Sequence, residues 1–320
     1  MSSVAVIGAG AWGTALAIQA ARAGNDVTLW ARDAGRARQM AANRQNPRLA
    51  GVRLPDAIVI TDVFPERADF TLLAVPTQHL RTLLGHLPNA LAPLVVCAKG
   101  VEAGTLRLPL EIVAAVRPPV PAAVLTGPNF AHEIAAGLPA ASVVAAADAE
   151  LREAVAVALS TPSFRLYGND DPVGAQVGGA AKNVVAIAAG AVIGAGLGEN
   201  ARAALITRGL AELARLAVAL GGRRETVMGL SGLGDLLLTC TGPASRNYSL
   251  GLALGRGEAL ADVQAAHSAV IEGVATAPAL VARAAGVEMP ICAAVASLLS
   301  ARTTLGEAMA ALLARPRRNE

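Results

Sequence analysis

In the first half of the chain the apolar positions fall in short unbroken runs, each followed by a stretch with helical spacing. Runs at 4–8, 26–30, 58–61, 70–75, 94–98, 122–126, 142–146 and 164–167 read as strands, and stretches at 12–23, 35–43, 78–85 and 106–116 read as helices. Strands that are apolar on both faces and spaced by helices predict a mainly parallel α/β sheet, covered on both sides. After about residue 172 the pattern changes. Stretches at 180–193, 201–220, 233–240, 249–254, 274–285, 291–300 and 305–313 suit helices, and no run reads as a convincing strand. Gly221-Gly222, Gly242-Pro243, Gly286 and Pro290 punctuate these helices. The pattern predicts two domains, a sheet domain over 1–175 and an all-helical C-terminal domain over 176–320. Clefts between domains of this kind are common ligand sites.

Composition narrows the classes. The 320 residues are 54% hydrophobic but only 2% aromatic and 16% charged, so the apolar content is mostly Ala, Val, Leu and Gly. Disorder needs low hydrophobicity and high net charge, and both are missing at a net +3. Basic residues are scattered except for Arg315, Arg317 and Arg318 near the end, and stacking aromatics are scarce, which argues against a nucleic-acid partner. Cys97, Cys240 and Cys292 are far apart and odd in number. They suggest neither a disulfide framework nor a metal spacing and fit a reducing cytoplasm. The mean hydropathy of +0.49 raises the question of a membrane span. One long uncharged stretch, Asn183 to Gly198, is 16 residues rich in Ala and Gly. A span needs about 20 strongly apolar residues, so this stretch reads as a buried helix. The N-terminal apolar run turns directly into a glycine motif and reads as a first strand, not a signal peptide.

That motif is Gly8-Ala9-Gly10-Ala11-Trp12-Gly13, a G-x-G-x-x-G between a strand and a helix. Gly8 allows the tight turn, Gly10 lets backbone approach a pyrophosphate, and Gly13 lets the helix pack on the strand. The helix N-terminus favours the negative charge. A second strand follows and ends at Trp30, so the context of a Rossmann-type dinucleotide-binding domain is complete. An acidic residue at the end of that strand would hold a ribose 2′-hydroxyl, whereas Arg suits a 2′-phosphate. The chain reads Arg32-Asp33. Arg32 favours NADPH, and Asp33, which is also a good helix N-cap, leaves NADH open.

The basic residues are 25 Arg and two Lys, Lys99 and Lys182. Arginine cannot give up its proton at useful pH, and a desolvated lysine can. Two lysines retained in so Arg-rich a chain therefore point to proton transfer by at least one of them. Lys99 ends an apolar strand, where the carboxyl edge of a parallel sheet meets ligands. Lys182 opens the least polar helical stretch. Two loops add polar groups, Thr126-Gly127-Pro128-Asn129-Phe130-Ala131-His132-Glu133, and the glycines 229–234 leading to Asp235 with Ser245-Arg246-Asn247 beyond. Asp235 can orient a lysine, and a hydroxyl, a guanidinium and an amide together suit a phosphate or a polyol. Ser245 suits a helix N-cap equally well. His79, His86, His132 and His267 show no metal spacing, so no metal is expected.

With these segments in order along nearly its whole length, the chain resembles the bacterial NAD(P)-dependent sn-glycerol-3-phosphate dehydrogenases. The resemblance implies reversible reduction of dihydroxyacetone phosphate for glycerophospholipid synthesis, and the apolar, Ala-rich helical half suggests a homodimer that buries such a surface between subunits. It implies Lys182 as the proton carrier and Lys99, Gly127, Asn129, Lys182, Asp235, Ser245, Arg246 and Asn247 as substrate contacts. Cofactor contacts would be Gly8, Gly10, Ala11, Trp12, Gly13, Arg32, Lys99, Ala131, Arg246, Val270 and Glu272. Asn129 stands where Ser or Thr is common in that family, and Ala11 where Ser is common. The rival readings are a related two-domain hydroxyacid reductase and a non-catalytic NAD(P)-sensing protein.

Overall fold

The computed structural model describes residues 2–266 and 270–316. The expectations for His267, Arg317 and Arg318 lie outside the described residues. The chain divides into two compact units, Met1–Lys99 with Leu108–Gln176, and Gly100–Arg107 with Val177–Glu320.

The first unit holds strands β1 (Ser3–Ile7), β2 (Asp26–Trp30), β3 (Ile58–Thr61), β4 (Phe70–Leu73), β5 (Leu94–Val96), β6 (Ala122–Thr126), β7 (Ala140–Ala145) and β8 (Phe164–Asn169). Its helices are α1 (Ala11–Arg22), α2 (Ala34–Asn43), α3 (Thr77–His86), α4 (Pro109–Val116), α5 (Ala131–Ala136) and α6 (Ala149–Leu159), with a single 3₁₀ turn at Pro47–Leu49. The strands form one eight-stranded sheet in the order β3-β2-β1-β4-β5-β6-β7-β8. Every pairing is parallel except β6 with β7. The order reverses at β1, the switch point where α/β sheets of this kind bind ligands. Val4, Val6, Leu29, Leu72 and Val95 are buried in one core with Leu16 and Ala20 of α1. This two-sided covering is why the strands carry no polar alternation.

α6 is a helix of this unit that the pattern did not predict. α6 is capped by Asp148, whose carboxylate accepts from the amides of Glu150 and Leu151. The helix expected from residue 106 begins only at Pro109. Leu106 has a left-handed φ of 58°, and Leu108 precedes a proline, which disfavours the helical region there. Pro109 then starts α4, and Glu111 accepts the Leu108 amide at 2.8 Å.

The second unit is helical. Its elements are α7 (Pro172–Gly194, from Val177 onward), α8 (Gly198–Ala219), α9 (Arg224–Val227), a π-helical turn at Leu230–Gly234, α10 (Asp235–Cys240), α11 (Arg246–Gly255), α12 (Leu260–Ala266), α13 (Glu272–Arg283), α14 (Pro290–Leu299) and α15 (Leu305–Leu313). By length and composition α7 could cross a membrane, but 83% of its most apolar stretch is buried inside the protein.

Glycine decides how α7 meets α11. A Cβ on Gly190 or Gly194 would lie 2.1 or 2.2 Å from the carbonyl oxygens of Tyr248 and Leu252. In return, a Cβ on Gly251 or Gly255 would lie 1.9 or 2.4 Å from those of Ile187 and Ala191. The two backbones therefore touch, and the Ala/Gly bias of this stretch is a packing requirement.

Candidate active site

The carboxyl ends of β2, β1, β4, β5 and β6 lie along one edge of the sheet, because these strands are mutually parallel. This edge carries the candidates of the first unit. Gly8 turns off β1 with φ +117°, and a Cβ there would meet the Ala74 carbonyl oxygen at 2.8 Å. Gly13 faces Gly8 so closely that a Cβ would fall 1.9 Å from its carbonyl oxygen. A Cβ on Gly10 would meet nothing within 4 Å, so the backbone there opens to space. Gly10 is the N-cap of α1, and Ala11, Trp12 and Gly13 form its first turn with no acidic side chain. Tight packing at Gly8 and Gly13 with open backbone at Gly10 is what a dinucleotide pyrophosphate requires.

Arg32 follows β2 and is exposed. Asp33 is the N-cap of α2, with Oδ1 accepting the Arg36 amide at 2.6 Å. Lys99 follows β5, and its Nζ donates to the Gly127 carbonyl at 3.1 Å. Gly127 has φ +151°, and a Cβ would strike Ser142 Cα at 2.9 Å. Asn129 donates through Nδ2 to the Ser142 hydroxyl, and its Oδ1 is buried without a hydrogen-bond partner among the described residues. Ala131 is the first residue of α5.

In the second unit, Lys182 sits on α7 and is buried. Its Nζ lies 2.5 Å from Asp235 Oδ1 and 2.8 Å from the Thr239 hydroxyl. The Thr239 hydroxyl in turn donates to the Asp235 carbonyl at 2.6 Å. Thr239 was not a sequence candidate. The signal was its position, one helical turn after Asp235 and on the same face. The helix expected from residue 233 begins at Asp235, and the preceding glycines form the π-helical turn. Such turns recur at functional sites. Here close backbone approach explains the glycines, since a Cβ on Gly178 of α7 would lie 2.5 Å from the Ser231 carbonyl oxygen.

Ser245 caps α11, with Oγ accepting the Tyr248 amide at 3.3 Å. Asn247 is buried. It donates through Nδ2 to Asn183 Oδ1 at 3.0 Å and accepts the Gly273 amide at 3.0 Å, joining α7, α11 and α13. Arg246 donates through Nη1 to the Val270 carbonyl at 2.6 Å. Its side chain reaches solvent, yet crowding around the guanidinium lowers its proton affinity, and the Glu272 carboxylate offsets this. The guanidinium stays cationic. Glu272 opens α13. Two groupings thus form here, Lys182 with Asp235 and Thr239, and Arg246 with Val270 and Glu272. Ser245 is occupied as a cap, and the exposed Val270 side chain is 47% accessible.

The three cysteines are free and buried. Burial pushes the thiols of Cys97 and Cys240 up to about 12, and that of Cys292 well above its ordinary value. Among the described residues no three His, Cys, Asp or Glu side chains gather as metal ligands do.

A dinucleotide-binding sheet with a separate helical unit bearing a buried, carboxylate-paired lysine defines the class of two-unit NAD(P)-dependent dehydrogenases. Residues 3–152 match the NAD-dependent glycerol-3-phosphate dehydrogenase N-terminus, and residues 171–310 match its C-terminus. The chain belongs to the NAD-dependent glycerol-3-phosphate dehydrogenase family. It is 60% identical over 318 residues to glycerol-3-phosphate dehydrogenase [NAD(P)+] of Acidiphilium cryptum, covering 99% of this chain and 98% of that one. With the enzyme of the same name from Bradyrhizobium sp. it shares 53% identity, covering 98% and 97% of the two chains. The crystal structure of glycerol-3-phosphate dehydrogenase from Coxiella burnetii superposes with a TM-score of 0.93 at 37% identity, covering 98% of this chain and 99% of that one.

Proposed function

We propose that the protein reduces dihydroxyacetone phosphate to sn-glycerol 3-phosphate reversibly, with NADPH preferred over NADH, and that Lys182 carries the proton. The observation that carries this reading is the buried Lys182 Nζ held 2.5 Å from Asp235 Oδ1 and 2.8 Å from the Thr239 hydroxyl. The family membership of the whole chain supplies the substrate class.

The glycine loop and the first turn of α1 bind the cofactor pyrophosphate, and Arg32 binds the adenine-ribose 2′-phosphate. The reduced nicotinamide supplies a hydride when bound. Lys182 Nζ gives its proton to the substrate carbonyl oxygen as negative charge develops there. The neutral amine is then reprotonated from solvent. In the oxidative direction the same amine takes the hydroxyl proton. Asp235 and Thr239 fix Nζ by two hydrogen bonds, and proton transfer from a positioned side chain contributes about 10²–10⁴-fold. Arg246 and the amides at the start of α11 hold the substrate phosphate. Asn247, clamped to Asn183, keeps α11 in register with the helix that carries Lys182. Lys99, Gly127 and Asn129 supply further polar contacts to substrate.

The reading includes a cytoplasmic homodimer, supported by the free buried thiols and by exposed apolar side chains of the helical unit such as Leu237 and Met228. Light scattering after gel filtration tests the dimer.

The chemistry is tested with Lys182→Arg, which keeps charge and approximate reach. NADPH absorbance decay is followed with dihydroxyacetone phosphate and with unphosphorylated dihydroxyacetone. The expected result is loss of turnover by at least about 10²-fold and little reaction of the unphosphorylated compound with the unmodified enzyme. Retained turnover in the variant would remove Lys182 from the proton step, and equal use of both compounds would remove the phosphate site.

A further inference from the structure

Three arginines lie within electrostatic reach where β2 hands over to α2, the charges of Arg48 and Arg32 both acting on Arg36. Arg32 lies two residues past the strand, Arg36 is the third residue of α2, and Arg48 lies in the 3₁₀ turn Pro47–Leu49. Arg36 is partly buried, and its Nε is shut away from solvent with no hydrogen-bond acceptor among the described residues. Burial lowers the proton affinity of its guanidinium, Arg48 and Arg32 add to that by like-charge repulsion, and Asp33 opposes it. Charges of one sign gathered in this way are unfavourable unless something negative settles among them. Asp33 does not fill that role fully, because its Oδ1 is occupied as the α2 cap. By the same bond, Asp33, the acid that follows β2, is turned toward the helix.

Arg48 is not loosely placed. Its amide donates to Asn46 Oδ1 at 3.0 Å. Asn46 is 1% exposed, and its Nδ2 donates to the Ala9 carbonyl at 3.2 Å and the Thr14 hydroxyl at 2.6 Å. Ala9 lies inside the glycine loop and Thr14 in the first turns of α1. One buried amide thus ties the backbone of Arg48 to the backbone that would carry the pyrophosphate. The short covalent link through C5′ limits how far the adenine-ribose 2′-position can lie from the pyrophosphate, so a cation registered to the loop stays within reach of that position.

We propose that Arg36 and Arg48 complete, with Arg32, a three-guanidinium cradle for the 2′-phosphate of the adenine ribose, held in register with the glycine loop by Asn46. The proposal rests on the NADPH preference put forward above and adds residues that set it. Guanidinium groups suit this ligand because they present planar paired donors to phosphate oxygens and keep their charge.

The test is calorimetric titration of NADPH and of NADH into the unmodified protein and into Arg36→Gln, Arg48→Gln, Arg32→Ala and Asn46→Ala, with no substrate present. In Arg36→Gln and Arg48→Gln the NADPH Kd is expected to rise about tenfold or more, as the loss of a charge-assisted phosphate contact implies, while the NADH Kd stays within about twofold. Asn46→Ala, which loosens the loop itself, is expected to weaken both cofactors. An NADPH Kd unchanged in both glutamine variants, or an equal loss for NADH, overturns the cradle. If the unmodified protein still prefers NADPH and only Arg32→Ala abolishes that preference, the cofactor reading stands and the cradle alone falls. Equal affinity of the unmodified protein for NADPH and NADH overturns both.

Discussion

Gly251→Ala is the sharpest perturbation of this molecule, because it adds one methyl group where two backbones already touch. The new Cβ would lie 1.9 Å from the Ile187 carbonyl oxygen, 2.8 Å from the Ile187 carbonyl carbon and 2.9 Å from the Ala191 amide nitrogen. Ordinary contact begins near 3.4 Å, so α7 and α11 must part by about 1.5 Å at the crossing. No side chain can swing aside, since every obstacle is backbone. Overpacking of a well-filled interior costs typically ~1–3 kcal/mol, and a backbone obstacle puts this substitution at or above the top of that range. At ~2–4 °C per kcal/mol, Tm falls by about 6–12 °C. The crossing also sets catalysis. α7 carries Lys182 and Asn183, and α11 carries Arg246 and Asn247, so parting the helices stretches the 3.0 Å bond between Asn247 and Asn183. Displacements of about 1 Å can cost ~10²-fold in rate. The assay is thermal unfolding by circular dichroism, with kcat and KM for dihydroxyacetone phosphate measured on the same preparation. Gly85→Ala is the control. Gly85 lies exposed in α3 with open space around its would-be Cβ, and replacing a helical glycine there should stabilise by roughly 0.5–1 kcal/mol. A Gly251→Ala variant that keeps its Tm within a degree and its kcat within twofold would refute the view that backbone contact positions these residues.

Asp235→Asn keeps shape but leaves Lys182 facing a neutral amide, and kcat should fall by about 10²-fold with KM little changed. A raised KM with intact kcat would assign Asp235 to substrate binding instead. Glu212 is buried in α8 and accepts the amides of Ile291 and Cys292 at 2.6 and 3.1 Å. Burial raises its carboxyl above the ordinary value of 4.5 despite those bonds. The folded state therefore holds this proton more tightly than the unfolded chain does, and the contribution to stability, full below pH ~4.5, declines as pH climbs through the raised value. Urea midpoints of the unmodified protein and Glu212→Gln, compared from pH 5 to 8, should show the advantage of the glutamate shrinking as pH rises; a growing advantage contradicts the sign. A thiol reagent at pH 8 should leave the folded protein unlabelled, since Cys97 and Cys240 are buried with thiols pushed up to about 12, and should label all three cysteines on unfolding. Rapid labelling of the folded protein would contradict the burial.

Much of the sheet was legible because its strands are local apolar runs. The strands expected at 26–30, 58–61 and 122–126 match β2, β3 and β6 residue for residue. Helix starts were less legible. Pro109 and Asp235 begin helices later than the apolar pattern suggests, because a pre-proline residue and a glycine-built π-helical turn override periodicity. α9 is only four residues long, too short for spacing to declare it, and α6 ends in the unbroken apolar run 154–159, with no polar position there to mark a helical face. In the candidate site, Lys182 and Asp235 were legible as residue types that serve proton transfer. Thr239 was not, because a lone threonine in an apolar helix has no distinguishing pattern.

The sequence by itself determined the residue chemistry and the local elements. The glycine motif, the two retained lysines and the Arg32-Asp33 pair are readable without any fold, since backbone freedom, proton affinity and charge belong to the residue. Tertiary structure decided which of those groups act together. Lys182 and Asp235 are 53 positions apart in the chain and 2.5 Å apart in space. They meet because glycines let α7 approach the π-helical turn before α10 and cross α11 at backbone contact. Distances of that kind depend on packing between elements far apart in the chain, and no local pattern encodes them.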